Sequence, residues 1–160
     1  VITPSEITIK YPSLIDMPGF EMLGYPYETA IAEKFQSMVE LGTINDRLKD
    51  FFDIWLLSQQ IEILGPSLLD AIQATFLNRG TPLPDNLPTA LKLDFAVKKQ
   101  SDWERFLKRS RLDTNEFPSF KNIILTLQEL LWPIMVAANQ HRPFTKLWKN
   151  GGPWEDLADR

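Results

Sequence analysis

The sequence contains no cysteine. Disulfides, zinc fingers and iron–sulfur ligation are therefore excluded, and the lack fits a reducing compartment such as the cytoplasm. There is one histidine, His141, so a histidine metal cluster or a Ser-His-Asp triad would have to be built around that single residue. No uninterrupted apolar run approaches the roughly 18 residues of a membrane span, and no membrane partner is expected. The N-terminus lacks the basic-then-apolar pattern of a signal peptide. It also lacks an initiator methionine: the chain opens on Val1-Ile2-Thr3-Pro4 and passes directly into an alternating stretch. That opening reads as part of a longer or processed protein. What is present is a globular composition of 160 residues, 44% of them apolar, with five Trp and ten Phe. The net charge of −4 argues against a protein that coats nucleic acid non-specifically and leaves room for a local basic patch.

The organisation changes along the chain. Residues 5–11 alternate, with Ile7, Ile9 and Tyr11 on one side and Glu6, Thr8 and Lys10 on the other, which is the pattern of a half-buried strand. A second short extended piece is expected near Phe20 to Gly24. From Glu28 the period is helical, and Gly42 marks the stop. Asn45-Asp46 is expected to cap a second helix running to about Gln60. A third helix follows Gly65-Pro66 and closes at Asn78-Arg79-Gly80; three prolines make 81–88 a loop. Ser101-Asp102-Trp103-Glu104 has the form of a capping box opening a fourth helix. A long helix is expected from about Pro118 to Ala138, kinked at Pro133. Phe144, Trp148 and Trp154 are expected to pin the tail to the body. The fold class is therefore mainly α with a small β remnant (α+β). Residues 1–60 read as the end of an α+β domain and 61–160 as a helical domain.

Two helices in the first third carry the chemistry. On a wheel at about 100° per residue, Glu33, Gln36 and Glu40 form the solvated side of the first helix. Ile31, Phe35, Met38 and Val39 lie opposite. Lys34 joins neither; it falls between Ile31 and Met38 on one flank and Ala30 and Leu41 on the other. An ammonium there is costly unless it meets an anion, a carboxylate or a phosphate. The plainer alternative is a boundary lysine that reaches water along its stem. On the second helix Asp46, Asp50 and Asp53 line one face, where a hard cation such as Mg²⁺ or the helix dipole would relieve their repulsion. Asp46 is explained as a cap. Asp53 is not, because Ile54, Leu56 and Leu57 make the helix apolar nearly all round by that point. Its nearest candidate partners are Arg47, Lys49 and Lys34.

The run Tyr25-Pro26-Tyr27-Glu28-Thr29-Ala30-Ile31-Ala32-Glu33-Lys34-Phe35, followed by Arg47-Leu48-Lys49-Asp50-Phe51-Phe52-Asp53-Ile54-Trp55-Leu56-Leu57, resembles the C-terminal motif pair of the AbiEii/AbiGii family. These are nucleotidyltransferase-like toxins of abortive-infection and toxin–antitoxin systems. The resemblance implies a truncated polymerase-β-like nucleotidyltransferase domain followed by a helical bundle domain. It implies a nucleoside triphosphate (NTP) and Mg²⁺ in the full-length protein, an RNA (tRNA) or protein acceptor, and a cognate antitoxin. In such enzymes a Gly-Ser phosphate loop and metal-binding carboxylates lie on early strands. This sequence has no Gly-Ser pair and no strand Asp-x-Asp, so no metal ligands are expected within it. By the resemblance Lys34 holds triphosphate oxygens or leaving pyrophosphate. Asp50 or Asp53 positions that lysine or assists the acceptor, and Arg47 and Lys49 are candidate substrate-binding cations.

His141, between Gln140 and Arg142-Pro143, reads as a surface or capping residue. Lys98, Lys99, Arg105, Lys108, Arg109 and Arg111, near Trp103 and Phe106, form a basic cluster that would suit an RNA acceptor or, more plainly, a solvated helix face. The alternative to an enzyme is a non-catalytic helical binding module for a partner protein or tRNA. The two differ in whether Lys34 meets Asp50 and Asp53.

Overall fold

The computed structural model describes residues 27–44 and 47–157. The expected strands at 5–11 and 20–24 and the expected Asn45-Asp46 cap lie outside these. Helix α1 (Tyr27–Leu41) ends where Gly42 adopts φ +56°, a left-handed conformation that costs glycine little. Helix α2 (Leu48–Gln60) has Arg47 at its N-cap position with no side-chain cap bond. Every residue from Phe51 to Ser58 is buried, as expected of a helix apolar on all sides. After the two-residue strand β1 (Ile63–Leu64), helix α3 (Gly65–Asn78) starts with Pro66 in its first turn. It closes on Gly80 at φ +66°, with Thr81 N–H donating to Phe76 O at 2.9 Å.

Helix α4 runs Leu93–Arg109, so the expected capping box is wrong: Ser101 to Glu104 lies mid-helix. The reason is apolar periodicity upstream. Phe95 and Ala96 share the buried side with Trp103 and Leu107, and burying them recruits the segment before Ser101 into the helix. Helix α5 (Phe120–Asn139) contains Pro133 and is capped by Ser119, whose hydroxyl oxygen accepts from Asn122 N–H at 3.2 Å. Gln100 Oε1 of α4 accepts from Phe120 N–H at 2.9 Å, satisfying another otherwise unpaired amide of that first turn.

The chain then returns in two short strands, β2 (Lys146–Trp148) and β3 (Trp154–Asp156). They extend β1 into an antiparallel sheet of order β1-β2-β3, with Ile63 opposite Trp148 and Leu147 opposite Glu155. Within the described residues the β structure thus lies at the α2–α3 junction and the tail. The aromatic tail does pin the C-terminus. Trp148, fully buried, donates its indole N–H to Ser58 O of α2 at 2.9 Å, and Trp154 donates to Glu129 O of α5 at 3.1 Å.

One apolar cluster runs through residues on both sides of position 60. Phe35 of α1 meets Phe76 of α3, and Phe52 of α2 meets Trp103 of α4 and Phe117. Helix α5 is long and apolar enough to cross a membrane by length and composition, despite Lys121 and Glu129. In this fold it is the central core helix: Ile123, Ile124, Leu127, Leu130, Leu131, Ile134 and Met135 are all buried against the others.

Candidate active site

Helices α1 and α2 pack against each other, and their charged residues meet at the seam. Lys34 Nζ lies 3.0 Å from Asp53 Oδ2 and 3.6 Å from Asp50 Oδ1. Lys49, one turn before Asp53 on the same helix, reaches the same Asp53 Oδ2 at 2.7 Å. Arg47 Nε lies 3.3 Å from Asp50 Oδ2. All five candidate residues therefore form one cluster. The sequence distances follow helix geometry: i,i+4 for Lys49–Asp53 and i,i+3 for Arg47–Asp50.

Burial within the cluster is graded. Asp53 is 1% exposed and Asp50 4%. The Lys34 side chain is 24% exposed, whereas Lys49 and Arg47 are more than half exposed. The carboxylates form the floor and the cations the rim. Asp50 sits in the first turn of α2, where the positive end of the helix dipole favours an acid. Among the described residues, Asp53 Oδ1 and Asp50 Oδ2 are buried without a hydrogen-bond partner, although Asp50 Oδ2 has the Arg47 guanidinium at 3.3 Å. A buried carboxylate oxygen without a donor, as at Asp53 Oδ1, costs free energy and calls for an explanation.

The cluster suits phosphate oxygens better than a metal. Two ammonium groups and a guanidinium are strong charge-assisted donors to phosphate. A Mg²⁺ ion at Asp50 and Asp53 would have to displace cations already at 2.7–3.6 Å. Among the described residues no group of three or more His, Asp or Glu could hold a metal.

The family model described as "Nucleotidyl transferase AbiEii toxin, Type IV TA system" matches residues 1–125 of the 160. The chain belongs to the AbiEii family. The AbiEii match takes in both motif helices and ends within α5. No curated protein and no solved structure matches. As an AbiEii protein the chain falls among toxin-type nucleotidyltransferases of toxin–antitoxin systems, and a mainly helical fold with a small sheet carries the two motifs.

Other candidate residues sit apart from the cluster. His141 is exposed at φ +54°, just past α5, where its N–H donates to Ala138 O at 3.2 Å; it ends the helix. Lys98, Arg105, Lys108, Arg109 and Arg111 are exposed, while Trp103 is fully buried and Phe106 packs against the core. The aromatics there are core residues and offer no stacking platform. Gln36 was expected on the solvated side of α1 and is instead fully buried. Its Oε1 accepts from Arg79 at 2.9 Å, and its Nε2 donates to Thr81 at 2.8 Å and Glu40 at 2.6 Å. The close of α3 folds over this residue, a long-range contact for which helical periodicity carries no signal.

Proposed function

We propose that Lys34, Asp50 and Asp53 are the triphosphate-handling part of a nucleotidyltransferase site that transfers a nucleotide from an NTP to RNA or protein. The observation that supports this is the position of the Lys34 ammonium on two buried carboxylates at the seam of the two AbiEii motif helices. In the reaction an acceptor oxygen attacks the α-phosphorus, and pyrophosphate leaves with the electrons of the broken P–O bond. Lys34 donates to the oxygens on which that negative charge grows, so it binds the transition state more strongly than the ground state. Asp53, the nearer and more buried acid, positions Lys34; Asp50 supports it from the first turn of α2. Arg47 and Lys49 bind outer phosphate oxygens from the rim. Mg²⁺ in such an enzyme would be held by carboxylates other than these two. A cognate antitoxin is the expected protein partner of a chain in this family.

The test is titration of the chain with each of the four NTPs, as wild type and as Lys34→Ala. Wild type binds at least one of them, and Lys34→Ala binds it about tenfold or more weakly, the loss of one charge-assisted contact. A wild type that binds none, or a variant that binds equally well, overturns the reading. Incubation of the 160-residue chain with labelled NTPs, Mg²⁺ and bulk tRNA gives no transfer, since it has no Gly-Ser loop and no Asp-x-Asp pair. Robust transfer would show that these residues need no additional metal-ligating set.

A further inference from the structure

Helix α4 carries a charge distribution that the ion-pair cluster does not use. Residues 92–111 hold seven cations and three acids, although the whole chain stands at −4. The cations are not spread evenly around the helix. At 100° per residue, Lys98, Arg105 and Arg109 fall within about 40° of one another, on the flank of α4 rather than on its outermost side. They form a line about 16 Å long at 1.5 Å rise per residue.

Two cavities open along that line and share Lys99. One, of about 440 Å³, is lined by Thr89, Lys92, Asp94, Phe95, Lys98 and Lys99. The other, of about 200 Å³, is lined by Leu48, Lys99, Asp102, Arg105 and Arg109. Asp102 is taken up by Arg105 and by Lys99, at 3.8 Å from the latter. It braces the two cations and leaves the flank basic. Leu48, which lines the second cavity, is the first residue of α2 and stands between Arg47 and Lys49 in the chain, so the cavity lies at the end of α2 that carries the cluster's rim cations.

We infer that this flank of α4 is a track for the sugar–phosphate backbone of single-stranded RNA, leading an acceptor strand towards Lys34. The inference rests on the nucleotidyltransferase reading for the direction of the track, and on the helix itself for its chemistry. A line of cations in a groove without exposed aromatics grips phosphates and does not stack bases. Binding on this track is therefore indifferent to sequence and strongly salt-dependent.

The test is fluorescence anisotropy of the full chain with a fluorescein-labelled single-stranded RNA of mixed sequence, over a range of salt. Three proteins are compared: wild type, the triple variant Lys98→Gln/Arg105→Gln/Arg109→Gln, and a control triple Lys121→Gln/Arg142→Gln/Lys149→Gln on other faces. The α4 triple binds about tenfold or more weakly than wild type, and its log–log salt slope falls by about 2, three single-strand contacts at about 0.7 each. The control binds within about threefold of wild type. Equal losses in the two triples, or a wild type that does not bind RNA, overturn the inference. So does equal affinity for polyglutamate of matched charge, which would make the flank a seat for acidic protein. The two proposals fail separately: Lys34→Ala loses NTP and keeps RNA, whereas the α4 triple loses RNA and keeps NTP.

Discussion

Removing Lys34 should destabilise the protein, and removing its acid as well should restore most of what is lost. Asp53 is 1% exposed and has Lys34 Nζ at 3.0 Å and Lys49 Nζ at 2.7 Å. At an effective dielectric constant of about 20, one such contact has a Coulomb energy of about 5 kcal/mol. Desolvation of the carboxylate opposes it with several kcal/mol, and Lys49 remains beside Asp53 when Lys34 is gone. The Lys34 side chain is also a quarter exposed, so water screens part of the attraction. Lys34→Met should then cost about 2 kcal/mol, less than the 3–5 kcal/mol typical of a fully buried broken pair. In Lys34→Met/Asp53→Leu no buried charge is left waiting for its partner at that position, and stability should return to within about 1 kcal/mol of wild type. Urea unfolding followed by tryptophan fluorescence measures both. A 2 kcal/mol loss shifts the midpoint by about 1 M at an m-value near 2 kcal/mol/M. If Lys34→Met costs under about 0.5 kcal/mol, the contact is an ordinary surface ion pair and the argument from burial fails. If the double variant is as unstable as the two single losses added together, the cost lies in packing and not in a stranded charge. The double variant should in either case fail to bind NTP, which separates the functional role of the pair from its structural one.

The sheet and the close of α3 support three further predictions. A Cβ on Gly65 would meet Lys146 O at 2.6 Å and Phe144 O at 2.9 Å, backbone atoms that cannot rotate away, so Gly65→Ala should cost about 3 kcal/mol in the same urea assay. Gly80→Ala, at φ +66° in open space, should cost only about 1 kcal/mol; equal costs would show that a small shift of the chain at Lys146 and Phe144 relieves the close approach at Gly65. Trp148→Phe removes the indole N–H that reaches Ser58 O at 2.9 Å and leaves a void in a fully buried site, a loss of about 2 kcal/mol. A change under about 0.5 kcal/mol there would mean the tail is not a structural clamp.

The helices that end at a residue with special backbone freedom were readable from sequence, and the pairings between distant segments were not. Gly42 and Gly80 mark their helix ends because each has a left-handed φ. Ser101-Asp102-Trp103-Glu104 misleads because a capping box is a local pattern, whereas Phe95 and Ala96 extend α4 upstream through tertiary burial. Strand β1 is two residues long, too short for alternation to be seen, and its partner Trp148 is far away in the chain. At the site, the wheel marks Lys34 as a charge set off from the polar side of its helix, and the resemblance singles out the Lys34, Asp50 and Asp53 set. Their meeting is a property of how α1 lies on α2. That Lys34 and Lys49 converge on one oxygen of Asp53, leaving the other unsatisfied, is visible only in three dimensions.

The end of the AbiEii match has a practical consequence. Position 125 falls early in α5, and the rest of that helix supplies Leu127, Leu130, Leu131, Ile134 and Met135 to the interior. Beyond it, Phe144 and Trp148 complete the same cluster. A polypeptide cut at residue 125 would keep both motif helices and lose the middle of what they rest on. The span that the family model matches is here smaller than the packed core on which its two motif helices rest, and mutagenesis of Lys34, Asp50 or Asp53 requires the larger one.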